Sequence, residues 1–216
     1  DNKSGGLASG TIQMHHRILK NVLERAVEWR IIKRNPVRDV QKPKVISKKI
    51  TPYDEKEVAQ LLIALENEPS HWRIMITLAL TTGLRRSELL GLEWKHINLS
   101  TGEIDVSQSM VHALKGEVII KQPKTKNSIL KVSLPKSMIK DLEEYYKNRL
   151  IEREMMGDQW KGGDSFFVFS HPNGVPFHHE RPYLWFRQFI KKNGMRYIRF
   201  HDLRHTSATF LTCQSS

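Results

Sequence analysis

Apolar residues between Ser9 and Ile31 recur at Ile12, Leu19, Val22, Leu23, Ala26 and Val27, with Arg17, Lys20 and Arg25 on the other faces. That spacing predicts one amphipathic helix. The stretch after it ends at Asn35-Pro36, because the residue before a proline is pushed out of the helical region. Gln41 to Lys49 is polar, basic and interrupted by Pro43, which is linker composition, and a domain boundary is expected there. Asp54 and Glu57 stand at the spacing of a reciprocal helix cap, and Val58, Leu61, Leu62 and Leu65 continue as a helical stripe.

Ile74 to Leu80 is apolar enough for a buried helix, and Thr82-Gly83 interrupts it before a short helix over Leu84 to Leu90. The pattern then changes period. Ile104 to Val106, Val118 to Ile120 and Ile129 to Val132 are short alternating runs separated by Lys115-Gly116 and by Pro123 to Asn127, which predicts one small antiparallel sheet with a lysine-rich turn. Helix returns over Ser137 to Leu150, Phe166 to Phe169 reads as a short buried strand, and Pro182 to Lys192 reads as a helix with Trp185, Phe186 and Phe189 inward. A last helix opens at His201 and runs to Leu211. There is no internal repeat and no low-complexity stretch.

Composition narrows the class without naming it. The 216 residues suffice for one to two domains, and 39% hydrophobic with 8% aromatic residues is ordinary for a globular protein, which excludes wholesale disorder and fibrous chains. No apolar run reaches the length of a membrane span. A single cysteine, Cys213, excludes an internal disulfide and a cysteine-rich zinc site, and a reducing, cytoplasmic setting is expected. The 35 Lys+Arg against 23 Asp+Glu leave a formal net charge of +12, which calls for a polyanionic partner: nucleic acid first, an acidic membrane surface second. The surplus is unevenly placed: +8 over residues 1–50, +5 over 111–136 and +5 over 166–216, with acidic blocks between. Three separate basic blocks suggest several elements converging on one ligand, where solvated faces alone would explain any single block.

Two arginines stand where solubility alone does not ask for one. Arg85 follows Thr82-Gly83-Leu84, and Arg204 lies in His201-Asp202-Leu203-Arg204-His205. On a helix, residues three and four apart share a face, so His201, Arg204 and His205 can point into one cleft. Guanidinium groups hold phosphate oxygens bidentately and keep their charge, and a histidine beside them moves protons near neutral pH. The bland alternative is that Arg85 forms a buried ion pair with Glu88 and that His201 caps a helix. A metal reading of His201 and His205 fails the zincin pattern, which needs Glu after the first histidine where this chain has Asp202, and a third ligand. The adjacent pairs His15-His16 and His178-His179 are expected to diverge and lie at the surface, so no metal is expected. Lys124, in the turn Pro123 to Asn127, could reach into a groove or be merely solvated.

Three of these segments, Thr82-Gly83-Leu84-Arg85-Arg86-Ser87-Glu88-Leu89, the Lys124-Thr125 turn before Val132-Ser133-Leu134-Pro135, and His201-Asp202-Leu203-Arg204-His205-Thr206, resemble the ordered active-site motifs of tyrosine recombinases, the phage-integrase family. Residues 9–46, with Asn35-Pro36-Val37, resemble the closing part of that family's core-binding domain. The resemblance implies a mixed α+β, mainly helical fold: a catalytic domain of helices around a small antiparallel sheet over residues 47–216, preceded over 1–46 by part of a helical, SAM-like core-binding domain. It implies DNA integration and excision by phosphodiester transesterification through a 3′-phosphotyrosyl intermediate, for a phage or other mobile element. Arg85 and Arg204 would bind the scissile phosphate, Lys124 would protonate the leaving 5′ oxygen, His201 would assist proton transfer, and Glu88 and His205 would support them. Lys42, Lys44, Lys48, Lys49, Arg86 and Lys126 are expected DNA contacts. The implied partners are a double-stranded DNA attachment site and further copies of the full-length protein in a homotetramer, with no cofactor and no membrane. No tyrosine follows Tyr197, so the expectation is a truncated chain that binds DNA without cleaving it. A DNA-binding module using the same basic residues only as phosphate contacts is the competing reading.

Overall fold

In the computed structural model of the chain, the described residues are 6–42, 44, 51–113, 117–122 and 130–213, with side chains described as far as Thr209. They fall into two units, Asp1–Ile50 and Thr51–Ser216.

The first unit is one helix and a turn. Helix α1, Ser9–Glu28, follows the predicted stripe. Only part of that stripe is covered: Leu23, Ala26 and Val27 are half-buried where a 3₁₀ turn, Pro36–Asp39, packs on the helix, while Ile12, Leu19 and Val22 stay exposed. Asn35 fastens the turn. Its side chain accepts from Val37 N at 3.0 Å and donates to Lys20 O at 2.9 Å and Glu24 Oε2 at 3.0 Å, so a buried polar group is satisfied on every side.

The second unit begins with α2, Glu55–Leu65, closed by the predicted cap: Glu57 N donates to Asp54 Oδ1 at 2.8 Å and Asp54 N to Glu57 Oε2 at 2.9 Å. Helix α3, Ser70–Thr82, buries Trp72, Ile74, Met75, Ile76, Leu78 and Ala79. A helix apolar on nearly every face belongs in the centre of a core, and α3 packs against α7, Asp202–Cys213, and α5, Lys136–Met156. Each fully covered side chain here, such as Met75 or Leu78, contributes about 1.5–3 kcal/mol of burial. The short helix α4, Arg86–Gly91, and the helix α6, Arg181–Lys192, complete the shell. Phe186 and Phe189 of α6 point inward as expected, and Trp185 is half-buried, stacked on Trp72 with ring centroids 4.5 Å apart.

Strand pairing differs from the single sheet expected. Strands β1, Ile97–Asn98, β2, Glu103–Val106, and β5, Leu130–Ser133, form one antiparallel sheet in the order β1-β2-β5. Strands β3, Ser109–His112, and β4, Val118–Lys121, form a separate ribbon in which Met110 faces Ile120. Val118 to Lys121 therefore pairs with Ser-Met-Val-His, a run without clear alternation that hides its strand character. The ribbon stays close because Gly91 ends α4 without a Cβ: one built there would lie 3.0 Å from Met110 N. The Phe166 to Phe169 segment is extended, bridging Glu93 through Phe167, and Val168 O accepts from Tyr145 Oη at 2.9 Å. Among the described residues no helix is long and apolar enough to cross a membrane.

Candidate active site

The site is built around the turn that ends α3. Gly83 adopts the left-handed conformation, φ 64°, and its N–H closes the helix on Ala79 O at 3.1 Å. Glycine enters this region without the steric cost that a Cβ incurs. The reversal makes Arg85 the residue that precedes α4. Glu88, one turn into α4, then holds Arg85 twice. Its Oε2 accepts from Arg85 N at 2.7 Å and its Oε1 from Arg85 Nη1 at 2.7 Å. The expected pairing is present, but it is not a buried ion pair: the arginine side chain is 59% exposed and the glutamate 16%. The carboxylate is sheltered, and the guanidinium is fixed at one end and open to an incoming anion at the other.

Arg204 reaches the same turn from α7, donating through Nη1 to Gly83 O at 2.6 Å. The two arginine-bearing segments, distant in sequence, meet because α7 lies against the end of α3; a Cβ on Gly83 would sit 3.3 Å from Ser207 Oγ. The start of α7 is held by a buried carboxylate. Asp202 accepts from Arg199 N at 2.8 Å and pairs with the Arg199 guanidinium at 2.8 Å. Burial pushes the Asp202 pKa up, but the hydrogen bonds from Arg199 outweigh it and hold the carboxyl below its ordinary value. The carboxylate thus ties the turn at Arg199 to the first residue of α7. Thr206 adds a second tie, accepting from Tyr53 N at 3.2 Å.

His201 is exposed immediately before α7, and its ring centroid lies 5.7 Å from that of His205, also exposed. Partial desolvation, then the neighbouring His205, lower the His201 pKa, so the imidazole is neutral and able to accept a proton at pH 7. Among the described residues, neither histidine belongs to a group of three metal-ligating side chains.

Of the expected DNA contacts, Arg86 is half-buried at the first position of α4, and Lys42 and Lys44 are exposed in the first unit. Lys42 lines a shallow hollow with His16, Arg17 and Lys20, the last two being cations from the polar faces of α1 that were not among the expected DNA contacts. Lys48, Lys49, Lys124 and Lys126 lie outside the described residues. The adjacent histidine pairs meet expectation only in part: His15 and His178 are exposed. His16 is half-buried with Nε2 3.2 Å from Val40 O, and the His178 and His179 rings, instead of diverging, lie 4.2 Å apart and converge on His112. Nothing near 178 in the sequence signals a partner on a strand so far upstream.

Residues 53–215 match the phage integrase family. The chain is 28% identical over 210 residues to the ICEBs1 integrase of Bacillus subtilis, covering 97% of this chain and 56% of that protein. It is 29% identical over 226 residues to a XerC-like tyrosine recombinase of Caldanaerobacter subterraneus, covering 95% of this chain and 56% of the relative. The chain thus spans about half the length of these curated relatives. Among solved structures, the Tn1549 transposon integrase in complex with a circular intermediate DNA superposes with a TM-score of 0.79 at 24% identity, over 97% of this chain and 68% of that one. A lambda integrase dimer bound to a core site superposes with a TM-score of 0.64 at 20% identity, over 96% of this chain and 68% of that one.

Proposed function

The chain belongs to the phage integrase family, and from that premise we propose that it is the catalytic region of a site-specific DNA recombinase of a phage or other mobile element. The observation that carries the reading is the hydrogen bond from Arg204 to the Gly83 carbonyl, which brings a second guanidinium to the turn that presents Arg85. Two fixed cations at one turn suit the non-bridging oxygens of a phosphodiester, where charge builds as the phosphate is attacked.

In the proposed reaction a tyrosine hydroxyl attacks the phosphorus and the bond to the 5′ oxygen breaks, leaving a 3′-phosphotyrosyl link and a free 5′ hydroxyl. His201 takes the tyrosine proton and Lys124 gives one to the leaving oxygen. Attack by a 5′ hydroxyl on the phosphotyrosine reverses the step and rejoins a strand, so no nucleotide is consumed. Glu88 acts through Arg85 as a positioning residue, and His205 supports His201. Residues 1–46 are assigned to the closing part of a helical core-binding domain, 47–216 to the catalytic domain, and Lys42, Lys44, Lys48, Lys49, Arg86 and Lys126 to phosphate contacts. The partner is a double-stranded attachment site, on which the full-length protein acts as a homotetramer in the cytoplasm. Since the tyrosines of this chain all precede His201, the 216 residues by themselves bind DNA without forming the covalent link.

Two assays test this. Fluorescence anisotropy on a DNA duplex should show binding that weakens steeply with salt, as displaced counterions require, and weakens further in Arg85→Ala and Arg204→Ala. A nicked suicide duplex should give a covalent adduct with a version carrying the reading frame past Ser216, and none with its Arg204→Ala variant. Binding without any adduct from the extended version overturns the recombinase in favour of a non-catalytic DNA-binding module.

A further inference from the structure

Away from the arginine turn, three histidines from two distant segments close on one point. His112 ends β3, while His178 and His179 immediately precede α6. Their ring centroids lie 4.2 to 5.0 Å apart, and each offers a ring nitrogen within 4.8 Å of the other two. The Nδ1 atoms of His112 and His179 are buried without a hydrogen-bond partner. On His178 the Nδ1 accepts from Glu180 N at 3.4 Å, which leaves Nε2 to bind elsewhere.

Buried nitrogens without partners are destabilising unless something satisfies them. Desolvation first, and then the other two rings, lower the His112 pKa, and desolvation followed by His178 does the same for His179. Arg86 and Glu180 are the charged groups acting on His179, with opposite effects. Three imidazoles facing one point are the donor set of a borderline transition-metal ion.

We propose that His112, His178 and His179 bind one divalent transition-metal cation of the zinc class, with the remaining coordination position left to water. The donors are all nitrogen, which suits Zn2+, Ni2+ or Cu2+ and does not suit Mg2+ or Ca2+. Metal-bound nitrogens at about 2.0–2.1 Å from a tetrahedral ion stand roughly 3.4 Å apart, so the rings close by about an ångström through side-chain rotation. The structural consequence is a clasp. A two-stranded ribbon is marginally stable alone, and β4 carries Val118, Ile119 and Ile120 exposed; the ion ties the end of that ribbon to the start of α6. The site uses no residue of the arginine turn and stands independently of the recombinase reading.

The test is a titration of the untagged, chelator-stripped chain with Co2+, followed by displacement with Zn2+. One Co2+ per chain should bind with the intense visible bands of a tetrahedral ion and be released by Zn2+. His112→Gln, His178→Gln and His179→Gln should each weaken binding by about tenfold or more, the triple variant should lose the bands, and His15→Gln/His16→Gln should keep them. Hydrogen exchange at residues 109–112 and 118–121 should slow when Zn2+ is added to the wild type. Because His178 is exposed, its variant folds even where a His112 variant does not. Equal Co2+ binding by the wild type and His178→Gln, or loss of the bands in the His15/His16 variant, overturns the site.

Discussion

Gly83 links the fold to the arginines, so Gly83→Ala perturbs both in one substitution. The residue sits at φ 64°, where any residue with a Cβ incurs about 1–2 kcal/mol. The new methyl also meets Ser207 Oγ at 3.3 Å, with Ser207 Cβ at 3.7 Å, a tighter approach than ordinary van der Waals contact at the first atom only. Gly194 provides the internal comparison: its φ is 62° and a Cβ there meets nothing within 4 Å. Gly194→Ala therefore isolates the backbone strain, and Gly83→Ala adds the clash. In urea denaturation Gly83→Ala should be the less stable variant: the strain alone lowers the melting temperature of either by about 2–8 °C, at the 2–4 °C per kcal/mol typical of this chain length, and the clash lowers that of Gly83→Ala further. Ser207→Ala removes the crowding oxygen, which is buried without a partner. It should be near neutral alone and should recover about 0.5–1 kcal/mol of the Gly83→Ala loss, as expected for residues in contact. DNA affinity should fall in Gly83→Ala and not in Gly194→Ala, since only Gly83 presents a carbonyl to Arg204. Equal stability of the two alanine variants, or no coupling to Ser207, refutes the claim that close packing of α7 on this turn brings the arginines together.

Glu88→Gln should weaken DNA binding severalfold while costing about 0.5–2 kcal/mol of stability by the loss of a helix-start partner; the exposed ion pair itself adds little. Unchanged anisotropy in that variant removes Glu88 as the group that holds Arg85. His71 packs against Trp72 and Phe177, and burial, then Arg181, lower its pKa to about 4. The unfolded chain takes up a proton below about pH 6.5, while folded His71 stays neutral until about pH 4. Stability should therefore drop as pH falls through that window and be unaffected above it. His71→Phe should flatten this part of the pH profile, and a profile identical to wild type rules His71 out as its source.

How far the chain could be read in advance follows the range of the interactions. The Asp54 and Glu57 cap of α2 and the inward Phe186 and Phe189 of α6 were legible because their partners lie within a few residues or one helical face. The ribbon of β3 and β4 was not, since Ser109 to His112 shows its strand character only when paired with Val118 to Lys121. The stripe of α1 was legible too, but not that Ile12, Leu19 and Val22 stay exposed, which depends on what covers the helix.

Local order alone determined most helices, the left-handed break at Gly83, and the pairing of Arg85 with Glu88, because each rests on backbone sterics and contacts one turn apart. Packing alone decided that the Arg204 guanidinium meets the Gly83 carbonyl and that His112 faces His178 and His179. Those juxtapositions span many dozens of residues. They exist because burying α3 against α7, and β3 against Gly91, leaves each segment one place to lie, and no spacing along the chain encodes that.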